Sequence, residues 1–323
     1  TRAEFCSGPV SPVSRPPYSG SCYQKWKVQP GMIRLFETRS IRRKRLRRVR
    51  CVFCDLDGTL LTDHNSIHED VKAAIAAVRS AGIRIVIASG RTDGFIRLYS
   101  SVLDPSSPVI SLNGALVKRG DGSILTSHPL PDSIAAVLDD FQFTPDGAAL
   151  TWSLFTPEGI MSLDERPLLP RYLRACEEEM HRVSDLTPYY PQAVSICAVG
   201  PYRSVQRLNV TLARKLGPRL KRVMYQSGSG KDRYYLEISL KRVNKATVVR
   251  DVLEELNIPR TRSAAIGDYT NDVEMCTFVG VSAGMKNGNN AVREQADIIT
   301  HRTNNDGGAA DFLRMLSGQR PAR

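Results

Sequence analysis

Two carboxylates two residues apart, Asp55 and Asp57, stand directly after the apolar pair Val52-Phe53 and just before Gly58. On an extended chain alternate side chains face the same way, so both acids leave the chain on one side. A buried strand does not end in bare charges without a use for them, because an unpaired carboxylate out of water is costly. Converging acids suit a hard cation such as Mg²⁺, and they equally suit a nucleophile beside an acid–base group. A loop in which the two acids merely cap a helix is the competing reading, so other positions have to decide.

Those positions lie further along the chain. Ser89-Gly90-Arg91, Asn113-Gly114, Lys245 and Gly267-Asp268-Tyr-Thr-Asn271-Asp272 each close an apolar run or open a helical one. Two acidic clusters and a lysine make poor core packing but fit a metal ion and a phosphoryl group. Between Asp57 and Ser89 there is room for one helix and one strand. Between Ser89 and Lys245 there is room for an inserted domain.

The elements that must position these groups follow from periodicity. Apolar strands are expected at Val52-Phe53, Ile83–Ala88, Pro108–Leu112 and Ser263–Ile266. Ser66-Ile-His-Glu69 reads as a capping box, opening a helix that buries Val71, Ile75 and Val78. A second helix opens at Lys245 and carries Val248, Val249, Val252 and Leu253. Strand, helix, strand in this rhythm predicts an α/β fold with a Rossmann-like parallel sheet, its polar groups collected at the carboxyl ends of the strands. From 130 to 234 the texture changes to short β-like runs and a helical piece, Arg171 to Arg182, which predicts an inserted α+β domain.

Charge separates a leader from this body. The formal net charge is +12. Residues 1–50 hold 13 Lys and Arg against Glu4 and Glu37, a net of +11, so the remaining 273 residues carry only +1. Nucleic-acid binding by the body gets no support from charge. Residues 1–49 read as a basic, disordered leader. Its run Arg42–Arg50 fits a nuclear address, an anionic-surface contact or a solvated lead-in, and its Arg-rich, acid-poor composition also fits an organelle transit segment. No apolar run approaches the length of a membrane-spanning helix, and the body reads as cytoplasmic. Cys51 and Cys54 are three apart, face opposite sides of a strand and cannot readily share a metal.

Taken together, Asp-Leu-Asp-Gly-Thr-Leu-Leu, Ala-Ser-Gly-Arg, Leu-Asn-Gly-Ala, Leu-Glu-Ile with Val-Asn-Lys, and Ile-Gly-Asp-Tyr-Thr-Asn-Asp resemble the motifs of the haloacid dehalogenase superfamily in family order. The match is nearest its Cof-type (subclass IIB) phosphatases and covers about residues 50 to 316. One departure is Ser89, where the family usually has Thr. The resemblance implies a core domain at 50–129 and 235–323 and an inserted cap at 130–234. It implies a Mg²⁺-dependent phosphatase acting on small phosphate monoesters, sugar phosphates foremost, through an aspartyl-phosphate. By the same resemblance Asp55 is the nucleophile and Asp57 the acid–base residue. Asp55, the carbonyl of Asp57, Asp268 and a supporting Asp272 would hold Mg²⁺. Ser89, Gly90, Lys245 and Asn271 would bind the phosphoryl group. Asn113 and Gly114 would edge the substrate entrance, and Arg91 either joins them or is a surface residue. A phosphomutase of the same superfamily, like the phosphomannomutases, and a non-catalytic regulatory protein using its basic leader are the alternatives. The expected partner is a small phosphate ester. Neither a membrane span nor nucleic acid is expected, and the oligomeric state is unread.

Overall fold

The computed structural model describes residues 44–164, 180–226 and 232–318. The first strand, β1 (Cys51–Cys54), is buried along its whole length. It is followed by β2 (Arg84–Ala88), β3 (Val109–Ser111), β4 (Leu116–Lys118) and β5 (Ile124–Ser127). Six more strands come next: β6 (Thr151–Thr156), β7 (Gly159–Ser162), β8 (Met180–Arg182), β9 (Ser195–Gly200), β10 (Leu220–Gln226) and β11 (Tyr234–Leu240). The chain then returns with β12 (Ser263–Gly267), β13 (Val281–Gly284) and β14 (Ile298–Ile299).

Eight strands form the first sheet, in the order β14-β13-β12-β1-β2-β3-β4-β5. From β14 to β3 all pairings are parallel, and the edge strands β4 and β5 continue the sheet by antiparallel β3–β4 and β4–β5 pairs. The fold is therefore α/β with a parallel core sheet, as its alternating pattern predicts. β1 lies between β2 and β12, so Asp55 emerges at the centre of the sheet edge where α/β sheets bind ligands. Cys51 and Phe53 point to one face, among Val248, Val249, Val252 and Leu253 of the helix Lys245–Glu255. Val52 and Cys54 point to the other, among Val71, Ile75 and Val78 of the helix Glu69–Ser80. Each of these fully buried aliphatic side chains contributes roughly 1.5–3 kcal/mol of transfer free energy. Both cysteines are buried free thiols on opposite faces of the strand.

The second sheet has the order β10-β11-β9-β6-β7-β8 and is antiparallel apart from the β7–β8 pair. Period-2 alternation decides its two faces. Leu236 and Ile238 join a cluster with Ile134, Leu138, Val205, Leu208 and Leu212 from the helices Ser133–Gln142 and Tyr202–Leu216. Tyr235, Cys197, Val199 and Phe155 face the other way and share an apolar cluster with Val52 and Leu56 of the first layer.

Four expectations need correction. The leader does not extend to residue 49: Leu46 and Val49 are buried in the core, Arg45 pairs with Asp297 at 3.5 Å and Arg50 donates its amide to Arg262. Its remaining stretch, 1–43, lies outside the described residues. The return to the first sheet is not at residue 235, because Tyr234–Leu240 is an inner strand of the second sheet, hydrogen-bonded to β9 and β10. The chain crosses back only at 241–244. Met180–Arg182 is a strand rather than the end of a helix, and 171–179 lie outside the described residues. Finally, the helix after β1 is capped by His68, whose Nδ1 accepts the Asp70 amide at 3.1 Å, and not by Ser66.

Candidate active site

Asp55 continues the ladder of β1 by donating its amide to Ile266 of β12 at 3.0 Å, which fixes where its side chain leaves the sheet. The chain then turns through Gly58 at φ +70°, and a Cβ there would lie 2.4 Å from Asp268 Oδ2. Only glycine combines that backbone conformation with so close a pass. Gly267 at the end of β12 is required for a similar reason: a Cβ would stand 2.4 Å from Cγ of Asp272. The helix Lys245–Glu255 starts behind Asp55 with Asn244 as its cap. Lys245 is fully buried, and its Nζ donates to Asp55 Oδ1 at 2.5 Å and to Asp272 Oδ1 at 2.6 Å. Asp272 Oδ2 accepts the amides of Asp268 (3.1 Å) and Tyr269 (3.0 Å), so both of its oxygens are engaged.

Asp55, Asp268 and Asp272 each bring a carboxylate oxygen within 4.8 Å of the others. Against these three acids stands one ammonium, an excess of two negative charges. Burial, then repulsion from Asp272, lifts the Asp55 carboxyl well above the usual carboxylate range despite Lys245. Asp268 is pushed up to about 6, by burial first and then by Asp272, while hydrogen bonds from its neighbours, Thr59 among them, act the other way. Burial acts to lower the Lys245 pKa, but the two carboxylates outweigh it and hold the ammonium charged. An all-oxygen donor set with two uncompensated charges is what a hard divalent cation fits. Asp55 and Asp268 have oxygens to offer such an ion. Asp272, saturated by Lys245 and two amides, serves better to hold the other two.

On the other side of the turn Asp57 is gripped by Arg91, whose Nε and Nη2 reach its two oxygens at 2.8 and 2.5 Å. Arg91 is buried and lies 4.1 Å over the Phe95 ring. Ser89 is fully buried, and its hydroxyl accepts the Arg91 amide at 3.1 Å. Asn271 Nδ2 donates to Asn113 Oδ1 at 2.9 Å, which ties the loops after β3 and β12 together. Leu112 and Asn113 both have positive φ, 49° and 56°. A bulky residue there is strained, and such strain gathers at working loops.

A cavity of about 600 Å³ opens over these groups. Asp55, Asp57, Asp268 and Asn271 line its floor with Gly90 and Arg91, and Asn113 stands at its side. Tyr225 and Glu237, from β10 and β11 of the second sheet, line it as well. The structure thus brings together most of the residues expected from the sequence. Ser89, Lys245, Asp272 and Gly114 stand behind the lining rather than in it. Arg91 is no idle surface residue: it is buried, lines the cavity and binds Asp57. Thr59, Phe95, Tyr225 and Glu237 were not anticipated. Glu237 stood in the Leu-Glu-Ile stretch and alternates with apolar residues in Tyr234–Leu240, but neither signal gave it a place in the site.

Burial pushes the Glu237 carboxyl up to about 7. The folded state therefore holds this proton more tightly than the unfolded chain, whose carboxyl titrates near 4.5. The stability this contributes is fully present below about 4.5 and is lost as pH rises through about 7, at most about 3 kcal/mol. Glu237→Gln is accordingly expected to melt higher than the parent at pH 8 and alike at pH 4.5. Equal melting points at pH 8 would mean that the ionised acid costs the fold nothing.

A sequence profile described as haloacid dehalogenase-like hydrolase matches residues 52–313. YxeH of Bacillus subtilis is 25% identical over 269 residues, covering 81% of this chain and 96% of its own. The 5-amino-6-(5-phospho-D-ribitylamino)uracil phosphatase YitU of Bacillus subtilis is 24% identical over 279 residues, covering 80% and 94%. Among solved structures, a haloacid dehalogenase-like hydrolase from Bacteroides thetaiotaomicron superposes with a TM-score of 0.70 at 23% identity, covering 83% of this chain and 99% of that one.

Proposed function

Because the chain belongs to the haloacid dehalogenase-like hydrolases, we propose that it is a Mg²⁺-dependent phosphatase of small phosphate monoesters, sugar phosphates among them. The observation that carries this reading is that Asp55 and Asp268 line a cavity wide enough for a sugar phosphate, with the Asp55–Lys245–Asp272 chain of contacts behind them. YitU is named for a phosphorylated ribityl compound, which points to the same kind of ester.

In this reading an Asp55 oxygen forms a bond to phosphorus as the ester P–O bond breaks, giving an aspartyl-phosphate. Asp57 gives its proton to the departing alkoxide. It then takes one from the water that attacks the same phosphorus, and the second P–O cleavage restores Asp55. The Arg91 fork occupies both Asp57 oxygens, so it must release one of them before Asp57 can pass a proton to the leaving group. The arriving phosphate dianion is a natural competitor for that fork. Lys245 orients Asp55. The Gly90 amide and Asn271 face the phosphoryl oxygens, while Ser89 and Asp272 hold the loops that present them. Asp55, Asp268 and the carbonyl of Asp57 would hold Mg²⁺, which when bound offsets repulsion between an anionic nucleophile and an anionic substrate. The second layer, residues 130–240, is the cap that shields the reaction from bulk water.

Release of phosphate from a small aryl phosphate with Mg²⁺, and its loss with EDTA, tests the activity. Asp268→Ala is expected to raise the Mg²⁺ concentration for half-activity at least about tenfold, since one anionic oxygen ligand is removed. An unchanged Mg²⁺ titration would exclude Asp268 as a ligand.

A further inference from the structure

The phosphoryl chemistry uses one end of the cavity and leaves the other end unexplained. There Tyr225 and Glu237 lie diagonally on paired strands: Val223 stands opposite Glu237 and Tyr235 opposite Tyr225. Tyr225 stacks on Tyr235 with ring centroids 5.3 Å apart, which fixes its ring, and its hydroxyl donates to Glu237 Oε1 at 2.5 Å. Among the described residues this is the only hydrogen bond to the Glu237 carboxyl, so one oxygen is left over. The residues directly opposite Glu237 on the two neighbouring strands are Val223 and Cys197, and neither is a cation. An acid kept mostly out of water with no counter-charge among the described residues weakens a sheet, and the packing around it does not call for an acid. Its neighbours Leu236 and Ile238 turn into the second layer's own core, which leaves Glu237 directed at the cavity.

Resting on the phosphatase reading, we propose that Glu237 and Tyr225 form the leaving-group subsite, which takes the hydroxyl groups of an uncharged sugar or polyol chain and rejects a second anion. The cavity is bipolar. Its floor presents donors and the place for a cation, suited to a phosphoryl group. Its far wall presents a carboxyl oxygen. A hydroxyl can both give and accept a hydrogen bond, so it pairs with this carboxyl whether ionised or protonated. That fits a group titrating near neutrality. Above neutral pH, where the carboxyl is ionised, a carboxylate or second phosphate placed there would meet like charge and lose its water without a partner, and such mismatches discriminate strongly.

The test uses two open-chain esters that differ at the end remote from phosphate: sorbitol 6-phosphate, ending in a neutral CH₂OH, and 6-phosphogluconate, ending in a carboxylate. In the full chain with Mg²⁺ at pH 8, kcat/KM for the first is expected to exceed that for the second by at least about tenfold. In Glu237→Gln the ratio is expected to fall to within about threefold, because 6-phosphogluconate improves in absolute terms. A variant that is merely damaged could not produce such a gain. A parent ratio near one overturns the proposal, and so does a variant that keeps the parent's ratio or loses both substrates equally. Glucosamine 6-phosphate turned over well above glucose 6-phosphate would make the recognised group an ammonium and overturn the hydroxyl assignment. If the parent hydrolyses none of these esters nor an aryl phosphate, the phosphatase reading itself fails and takes the subsite with it. Hydrolysis of the aryl phosphate with a failed ratio overturns the subsite alone.

Discussion

Asp55→Asn is expected to lower turnover at least ~10³-fold while the protein stays folded. Asparagine keeps the shape of the side chain and can still accept from Lys245 Nζ, but an amide oxygen is a poor nucleophile toward phosphorus. The charge balance sets a second expectation with a definite sign. Three acids surround one ammonium here, and burial and repulsion lift the Asp55 carboxyl. Removing one negative charge relieves that crowding, so without metal the variant should melt no lower than the parent. Steady-state turnover and a melting curve in EDTA test both halves. Turnover within tenfold of the parent would falsify the nucleophile role.

Lys245→Met is expected to fail on both counts. Its ammonium is fully buried and is, among the described residues, the one cation in contact with both Asp55 and Asp272. Methionine of similar length leaves two carboxylates facing each other in a dry interior, and breaking a buried pair in this way costs about 3–5 kcal/mol. Turnover should also fall, by about 10²–10³-fold, because Asp55 loses the contact that orients it and the site loses a charge that would balance the transition state. Adding Asp55→Asn to Lys245→Met should return part of the stability and none of the activity. That coupling is readable in urea unfolding as a departure from additivity of at least about 1 kcal/mol. Single variants that simply add would mean that the two groups do not act as a pair.

Most of the floor of the site was legible in the sequence because the strands there are parallel and buried. A polar residue just past an apolar run has one place to go in such a sheet, and Asp55, Asp268 and Asn271 went there. Lys245 could be placed because it opens a helix whose apolar stripe fixes its face. The far wall was not legible. Which face of the second sheet turns to the first depends on two cores competing for alternate residues, and Leu236 and Tyr235 look equally apolar when read singly. The Arg91 grip on Asp57 was hidden for a similar reason: it joins loops 34 residues apart in sequence, and no periodicity carries that distance. The end of the leader misled because its arginines outweigh Leu46 and Val49, the two residues that anchor it.

The late crossing at 241–244 bears on how the second layer could be exchanged for another. The strand with Glu237 runs straight into the helix that begins at Lys245, with four residues between Leu240 and that helix. The other seam is as short: His128 still donates its amide to Ala115 of the first layer, while Leu130 already donates to Ala193 of the second. A transplant cut at residue 235 would pull an inner strand out of its sheet and strand Glu237 on the wrong parent. Cut at 129 and 241, the whole six-stranded unit travels with both of its cavity-lining side chains. The recipient keeps the acids and the lysine. A chimera built on those seams would inherit its chemistry from one parent and its taste in substrates from the other.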